Sequence, residues 1–223
     1  MTPLSRRLIA ELLGTLLLVA FGTASVVVNA QQGAPLGLGG IALTWGALVA
    51  VLVYAFGNLS GTQINPAVTV GLWSVGRLPR GEVLPHVVAQ VIGASIGSFA
   101  VLWLLGDSHG LGATTTALDP VRAFAVEFAA SFLLMACVMG AGVDERTPRG
   151  FVALGAGMAV MLDVFVAGPL TGASMNPARS FGPALAMGAW TMQWLYWAAP
   201  IAGMLAAAQV MQRLGSPPNG PLP

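Results

Sequence analysis

Asparagine can cap a helix with its amide oxygen and still offer an amide N–H to a ligand, and this chain places two asparagines in matching contexts. The stretches Leu59-Ser60-Gly61-Thr62-Gln63-Ile64-Asn65-Pro66-Ala67-Val68-Thr69-Val70-Gly71 and Leu170-Thr171-Gly172-Ala173-Ser174-Met175-Asn176-Pro177-Ala178-Arg179-Ser180-Phe181-Gly182 align without a gap. They share Leu, Gly, the tripeptide Asn-Pro-Ala and a second Gly. Asn65 and Asn176 read as N-caps. Pro66 and Pro177 take the first helical position, where the N–H they lack would be unpaired anyway. Ala67 and Ala178 continue the helix. Each helix therefore starts abruptly, with free backbone N–H groups and the positive end of its dipole pointing outward. A single copy would be the ordinary cap of a surface helix, whereas two copies, one per half of a very apolar chain, mark a site.

The elements that carry these stretches must lie in a membrane. The chain of 223 residues is 56% hydrophobic and 8% charged, with a mean hydropathy of +0.80. An ordinary soluble domain carries about 25% charged residues. The net charge of +1 gives no electrostatic footprint for nucleic acid, and no such partner is expected. All nine basic residues are Arg. Cys137 is the single cysteine and excludes an intramolecular disulfide framework. The two histidines lack Cys or carboxylate company at ligand spacing, so neither a metal nor a cofactor is expected. No nucleophile–base pair stands out either, and the chain does not read as an enzyme.

In chain order, apolar runs predict spans over residues 8–28, 41–59, 83–105, 121–142, 151–167 and 190–214. The first, of about 21 residues, is long enough for a hydrocarbon core of roughly 30 Å. The half-helices fall at 66–75 and 177–187, following spans two and five. A basic start before an apolar run also fits a signal peptide ending near Ala24, but the length of the run and its recurrence favour a span. Gly93 and Gly97 stand at the small-xxx-small spacing that suits close helix contact. Residues 106–119 form the longest loop, and the Pro-rich tail 214–223 is expected to be disordered. The result is one all-α transmembrane domain, 1–223.

The halves, about 6–105 and 120–213, repeat. Glu11 and Glu127 occupy matching places in spans one and four, and Asn65 and Asn176 matching places after spans two and five. Three spans per half is an odd number, so the second half must enter from the opposite side as an inverted repeat. Arg6, Arg7, Arg77, Arg80, Arg146, Arg149 and Arg213 then share one side, leaving Arg122 opposite and Arg179 in a re-entrant loop. The excess of positive charge puts both termini in the cytoplasm of a multi-pass plasma (inner) membrane protein.

Inverted symmetry brings the half-helices together end to end near the midplane. Non-helical backbone at that depth is tolerated only where it is buried in protein or lines a water-filled path. The loops 57–64 and 168–175 would supply a run of carbonyls, and Asn65 and Asn176 two donors at the meeting point. Two helix N-termini raise the potential there and penalise cations, including a hydrated proton. Such a path suits neutral polar molecules.

On these residues, the paired Asn-Pro-Ala, the Arg179 that follows the second and the matching Glu11 and Glu127, the chain resembles the aquaporins, or major intrinsic proteins. The resemblance covers roughly residues 6–213 and implies a homotetramer of six-span bundles, each with two re-entrant half-helices and its own pore. It implies that Glu11 and Glu127 brace the carbonyl loops. It further implies a four-residue filter of Trp45, Val164, Ala173 and Arg179. Water-selective members typically place His where this chain has Val164. The set Trp-Val-Ala-Arg resembles the nodulin-like subgroup and its bacterial relatives, which implies passive passage of glycerol, arsenous or boric acid, and water, with ions and protons excluded. Ser180, Ala184, Tyr196 and Trp197 look more like a water channel, and Gln63 replaces a commonly found His; these need not touch the solute. A water-selective pore and an ion-coupled secondary transporter are the alternatives. Trp45 could instead belong to an interfacial aromatic belt. Asp163 is an ionisable group inside a span; about 100° round the helix from Val164, it is expected to face a neighbouring helix or the outer water layer.

Overall fold

The computed structural model describes residues 3–143 and 150–215. Among them lie eight α-helices: α1 (Leu4–Gln31), α2 (Gly37–Ser60), α3 (Pro66–Ser74), α4 (Arg80–Leu105), α5 (Pro120–Val138), α6 (Phe151–Thr171), α7 (Pro177–Met187) and α8 (Leu195–Gly215). A π-helical turn over Met139–Val143 continues α5. No strand occurs among the described residues. Residues 144–149, with Asp144, Glu145, Arg146 and Arg149, lie outside the described residues, as does the tail from 216 onward; Leu214 and Gly215 close α8.

Helix ends follow local chemistry. Asp119 caps α5, accepting the N–H groups of Val121 and Arg122, with Pro120 at the first helical position. α2 and α6 stop at Gly61 and Gly172, both left-handed with φ of 85° and 83°, whose N–H groups return to the carbonyls of Gly57 and Gly168. Some boundaries differ from the sequence-based expectation. α6 runs through Gly168 and Pro169 to Thr171 instead of ending at Ala167. Pro169 lies in the last turn, where it removes only the one bond its N–H would have made to the Phe165 carbonyl. α4 starts at Arg80, behind Pro79, and carries Pro85 in its second turn. The last helix begins at Leu195, because residues 191–194 are a turn.

Five helices are long and apolar enough to cross a membrane: α1, α2, α4, α5 with its extension to Ala141, and α6. α8 has the same length as α6, 21 residues, but carries Pro200, Gln209, Gln212 and Arg213 and is more polar. It packs against α5 and α3.

The packing repeats between halves. α1 lies on α4 as α5 lies on α8; α1 meets α2 as α5 meets α6; α3 packs on α8 as α7 packs on α4. α2 and α6, equivalent in this exchange, pack on each other. Glycine makes the close crossings possible. A Cβ on Gly46 would meet the Gly157 carbonyl at 2.6 Å, and one on Gly157 the Gly46 carbonyl at 2.5 Å, so α2 and α6 touch backbone to backbone. On α4, Gly93 rests on the Leu12 carbonyl of α1, and on α8, Gly203 rests on the Phe128 carbonyl of α5. The outer faces present large apolar side chains, among them Leu84, Trp103, Val121 and Val166, suited to lipid chains. At one end of the α1–α4 pair, Arg7 binds Glu82 through two bonds of 2.6 and 2.7 Å.

Filling the Gly93 contact should separate α1 from α4. Gly93→Val is expected to cost about 1–3 kcal/mol. Its thermal unfolding midpoint in detergent should fall below that of the parent, while valine at the exposed neighbour Ile92 should leave the midpoint unchanged.

Candidate functional site

The two extended segments 61–64 and 172–175 run between helices in a strained conformation. Thr62, Ile64, Ala173 and Met175 have φ of 47°, 42°, 47° and 50°, left-handed values that are outliers for bulky and β-branched residues. Two buried glutamates hold them there. Glu11 accepts from the Ser60 hydroxyl (2.7 Å), the Gln63 N–H (2.9 Å), the Ile64 N–H (2.6 Å) and the Gln90 amide (2.8 Å). Glu127 accepts from the Thr171 hydroxyl (2.6 Å), the Ser174 N–H (2.9 Å) and the Met175 N–H (2.9 Å). Counted back from each Asn, the hydroxyl and the two N–H groups occupy the same positions in both halves. A hydrogen bond to a charged group contributes about 1.5–3 kcal/mol, comparable with the roughly 1–3 kcal/mol that a strained residue costs. Once the N–H groups are taken, the carbonyls of Gly61, Thr62, Gln63, Ala173 and Ser174 accept from no donor among the described residues, and they stand beside a cavity that these residues line.

Asn65 and Asn176 stand where the segments meet. Each caps its own helix: Asn65 Oδ1 accepts from Ala67 N–H at 2.9 Å, and Asn176 Oδ1 from Ala178 N–H at 3.0 Å and Arg179 N–H at 3.3 Å. Each amide nitrogen crosses to the opposite segment, Asn65 Nδ2 donating to the Met175 carbonyl (2.9 Å) and Asn176 Nδ2 to the Ile64 carbonyl (2.8 Å). An amide has two N–H bonds, so one on each remains for a molecule in the cavity that both asparagines line. Pro66, Ala67, Pro177 and Ala178 are buried behind them.

The same cavity is lined by Trp45, Val164, Ala173 and Arg179. Trp45 is 5% exposed and so stands inside the bundle and not in a belt at the membrane surface. The Arg179 guanidinium carbon lies 4.6 Å from the Trp45 ring centroid, a cation–π contact, and Nη1 donates to the Gly112 carbonyl at 2.9 Å. Val164 adds only hydrocarbon, and Ala173 adds a methyl group beside its backbone carbonyl. The lining here therefore joins a charged group and a carbonyl with apolar surface. Leu18, Val49, Val68, Leu134, Val138 and Val160 extend the apolar surface along the cavity.

Of the two places expected for Asp163, a neighbouring helix or the outer water layer, the structure has the first: it is 6% exposed and does not line the cavity. Its Oδ2 is buried without a hydrogen-bond partner among the described residues. Ser180 is engaged by hydroxyls, accepting from Thr114 at 2.8 Å and sharing a proton with Ser174. Tyr196 donates to the Thr171 carbonyl at 2.9 Å, and Ala184 and Trp197 pack in the bundle; none of these four lines the cavity. Gln63 does line it.

Several partners have no place in the sequence-based reading. Ser60 and Thr171 were detectable as the hydroxyl kept before each Gly of the repeat. Gly112 and Thr114 carried no local signal, because their role depends on how the long loop folds back over α7.

Comparison with known proteins places this geometry. The family described as Major intrinsic protein matches residues 1–211. Aquaporin NIP1-1 of Arabidopsis thaliana is 41% identical over 217 residues, covering 93% of this chain and 73% of the relative. Nodulin-26 of Glycine max is 39% identical, covering 93% and 77%, and Aquaporin AqpM of Methanothermobacter marburgensis is 39% identical, covering 97% and 100%. In fold, the aquaglyceroporin from Plasmodium falciparum superposes with a TM-score of 0.86 at 22% identity, covering 95% of this chain and 97% of that one.

Removing one brace should collapse one carbonyl row. Glu127→Leu leaves the Ser174 and Met175 N–H groups and the Thr171 hydroxyl buried and unpaired, at about 1–3 kcal/mol each. In proteoliposomes checked for equal protein content, solute and water flux are expected to fall to the level of empty vesicles.

Proposed function

Because the chain belongs to the major intrinsic protein family, the aquaporins, we propose that it is a passive channel for small neutral solutes: glycerol, arsenous or boric acid, and water. The single observation that carries this is the mixed lining of one cavity, which joins the Arg179 guanidinium and the Ala173 carbonyl with the hydrocarbon of Trp45 and Val164. A polyol can lay its carbons on Trp45 and Val164 and turn its hydroxyls to Arg179 and the carbonyls. Buried polar groups need partners, and the pairing supplies them on one side only. Farther in, Asn65 and Asn176 each offer one N–H while the carbonyls of 61–63 and 173–174 accept.

Ion exclusion follows from the same parts. Arg179 is a fixed positive charge at a narrow point, and the N-termini of α3 and α7 add positive potential at the centre. A proton or metal cation meets this potential after losing most of its water. Ser180, Ala184, Tyr196 and Trp197 favour a water-selective pore instead, but they lie behind the wall. An ion-coupled transporter would need a relay of acids along the path, and Asp163 lies off the cavity. The bundle is proposed to sit in the plasma (inner) membrane and to assemble as a homotetramer through its apolar outer faces, with both termini in the cytoplasm, the orientation that the arginine distribution favours.

Stopped-flow light scattering on proteoliposomes, run in parallel with each solute, tests this. The parent is expected to pass glycerol as well as water. Val164→His narrows the opening and adds a donor; it should lower glycerol permeability about tenfold, equivalent to ~1.4 kcal/mol in barrier height, and lower water permeability less. A parent that passes water and no glycerol, or a mutant with the parent's solute ratio, would sink the proposal. Arg179→Val removes the fixed charge and should give a proton leak, measured with an entrapped pH dye, that the parent lacks.

A further inference from the structure

Gly22 lies on α1 one turn beyond Leu18, which lines the cavity, yet Gly22 itself is buried and off the lining. Its place on the wall is taken from α2. Three atoms of the outer ring edge of Trp45, Cζ2, Cζ3 and Cη2, all lie within 2.6 Å of where a Cβ on residue 22 would stand. The face of the same ring holds the Arg179 guanidinium at 4.6 Å. The indole is thus wedged, with its edge in a notch of α1 and its face under the arginine.

We propose that Gly22 is a specificity-determining position. By lacking a side chain it lets Trp45 lie back against α1, which keeps the constriction open to a solute wider than water; this rests on the solute-channel reading above. An indole is rigid and moves only through two torsions, so it cannot bend round a methyl group placed in its notch. It must swing off α1 as a unit, into the space bounded by Arg179 and Val164. That movement narrows the opening and breaks the cation–π contact together. A purely structural glycine predicts something different. Alanine inside a helix is favoured over glycine by about 0.5–1 kcal/mol, so with no wedge Gly22→Ala would be neutral or stabilising.

The test compares the parent, Gly22→Ala, Trp45→Phe and the double variant in proteoliposomes, with glycerol and water permeabilities measured at equal protein content. Gly22→Ala is expected to lower the glycerol-to-water ratio about tenfold. In the Trp45→Phe background the ring edge that fills the notch is gone, and the same substitution should leave the ratio unchanged. An unaltered ratio in the parent background, or the same fall in both, overturns the proposal. If Gly22→Ala does not reach the membrane, restoration by Trp45→Phe supports the wedge and loss in both backgrounds overturns it. A parent that conducts only water overturns the proposed solute class alone. The wedge is then read from water permeability, which Gly22→Ala should lower and Trp45→Phe restore.

Discussion

A carboxylate buried in each half, holding the backbone N–H groups of a re-entrant segment, is the interaction on which the rest depends. Glu11 and Glu127 are wholly buried, and between them they take four backbone N–H groups and two hydroxyls on the re-entrant segments. A membrane interior ordinarily forbids extended backbone because nothing there satisfies it. The glutamates satisfy one edge of each segment internally and leave the other edge for whatever fills the cavity. Left-handed Thr62, Ile64, Ala173 and Met175 survive because this set of bonds over-determines them. The glutamates fix conformation and leave the choice of solute to other residues.

In the proposed channel, selection would fall to residues that make few bonds. Val164 and Ala173 would set volume and Trp45 a flat apolar face, while Arg179 alone of the four has both charge and a fixed direction, given by Trp45 and the Gly112 carbonyl. Glycine at the helix crossings serves the same end at longer range. With α2 and α6 in backbone contact at Gly46 and Gly157, Trp45 of α2 and Val164 of α6 line the same cavity.

Much of this was legible before any coordinates, for a physical reason. A repeat writes each functional position twice, so Asn65 with Asn176 and Glu11 with Glu127 stood out against an apolar background. The half-helices needed only their caps: both start at the prolines, and α7 ends at Met187 as the composition indicates. Boundaries that rest on a single breaker were less reliable. Pro169 reads as a stop, yet near a helix end it costs one bond, and α6 absorbs it. The spacing of Asp163 from Val164 put it off the pore, but the same spacing could not tell protein interior from outer water. Gly22 and Gly112 were out of reach, since a residue with no side chain declares nothing about what lies against it.

The crossed amide bonds have a consequence for how the chain is made. Asn65 donates to the carbonyl of Met175, and these residues are 110 apart in sequence. At about 5–20 residues per second, that separation is on the order of 5–20 s of synthesis. Through that interval the first re-entrant segment has its own glutamate but no opposite loop, so its amide hydrogen and the Ile64 carbonyl stay unpaired in a half-built bundle. The first half must therefore be sheltered until the second arrives, either by the insertion machinery or by water at the membrane face. Each half of the molecule finishes the other, and the pore exists only once the last of the four carbonyl and amide partners has been translated.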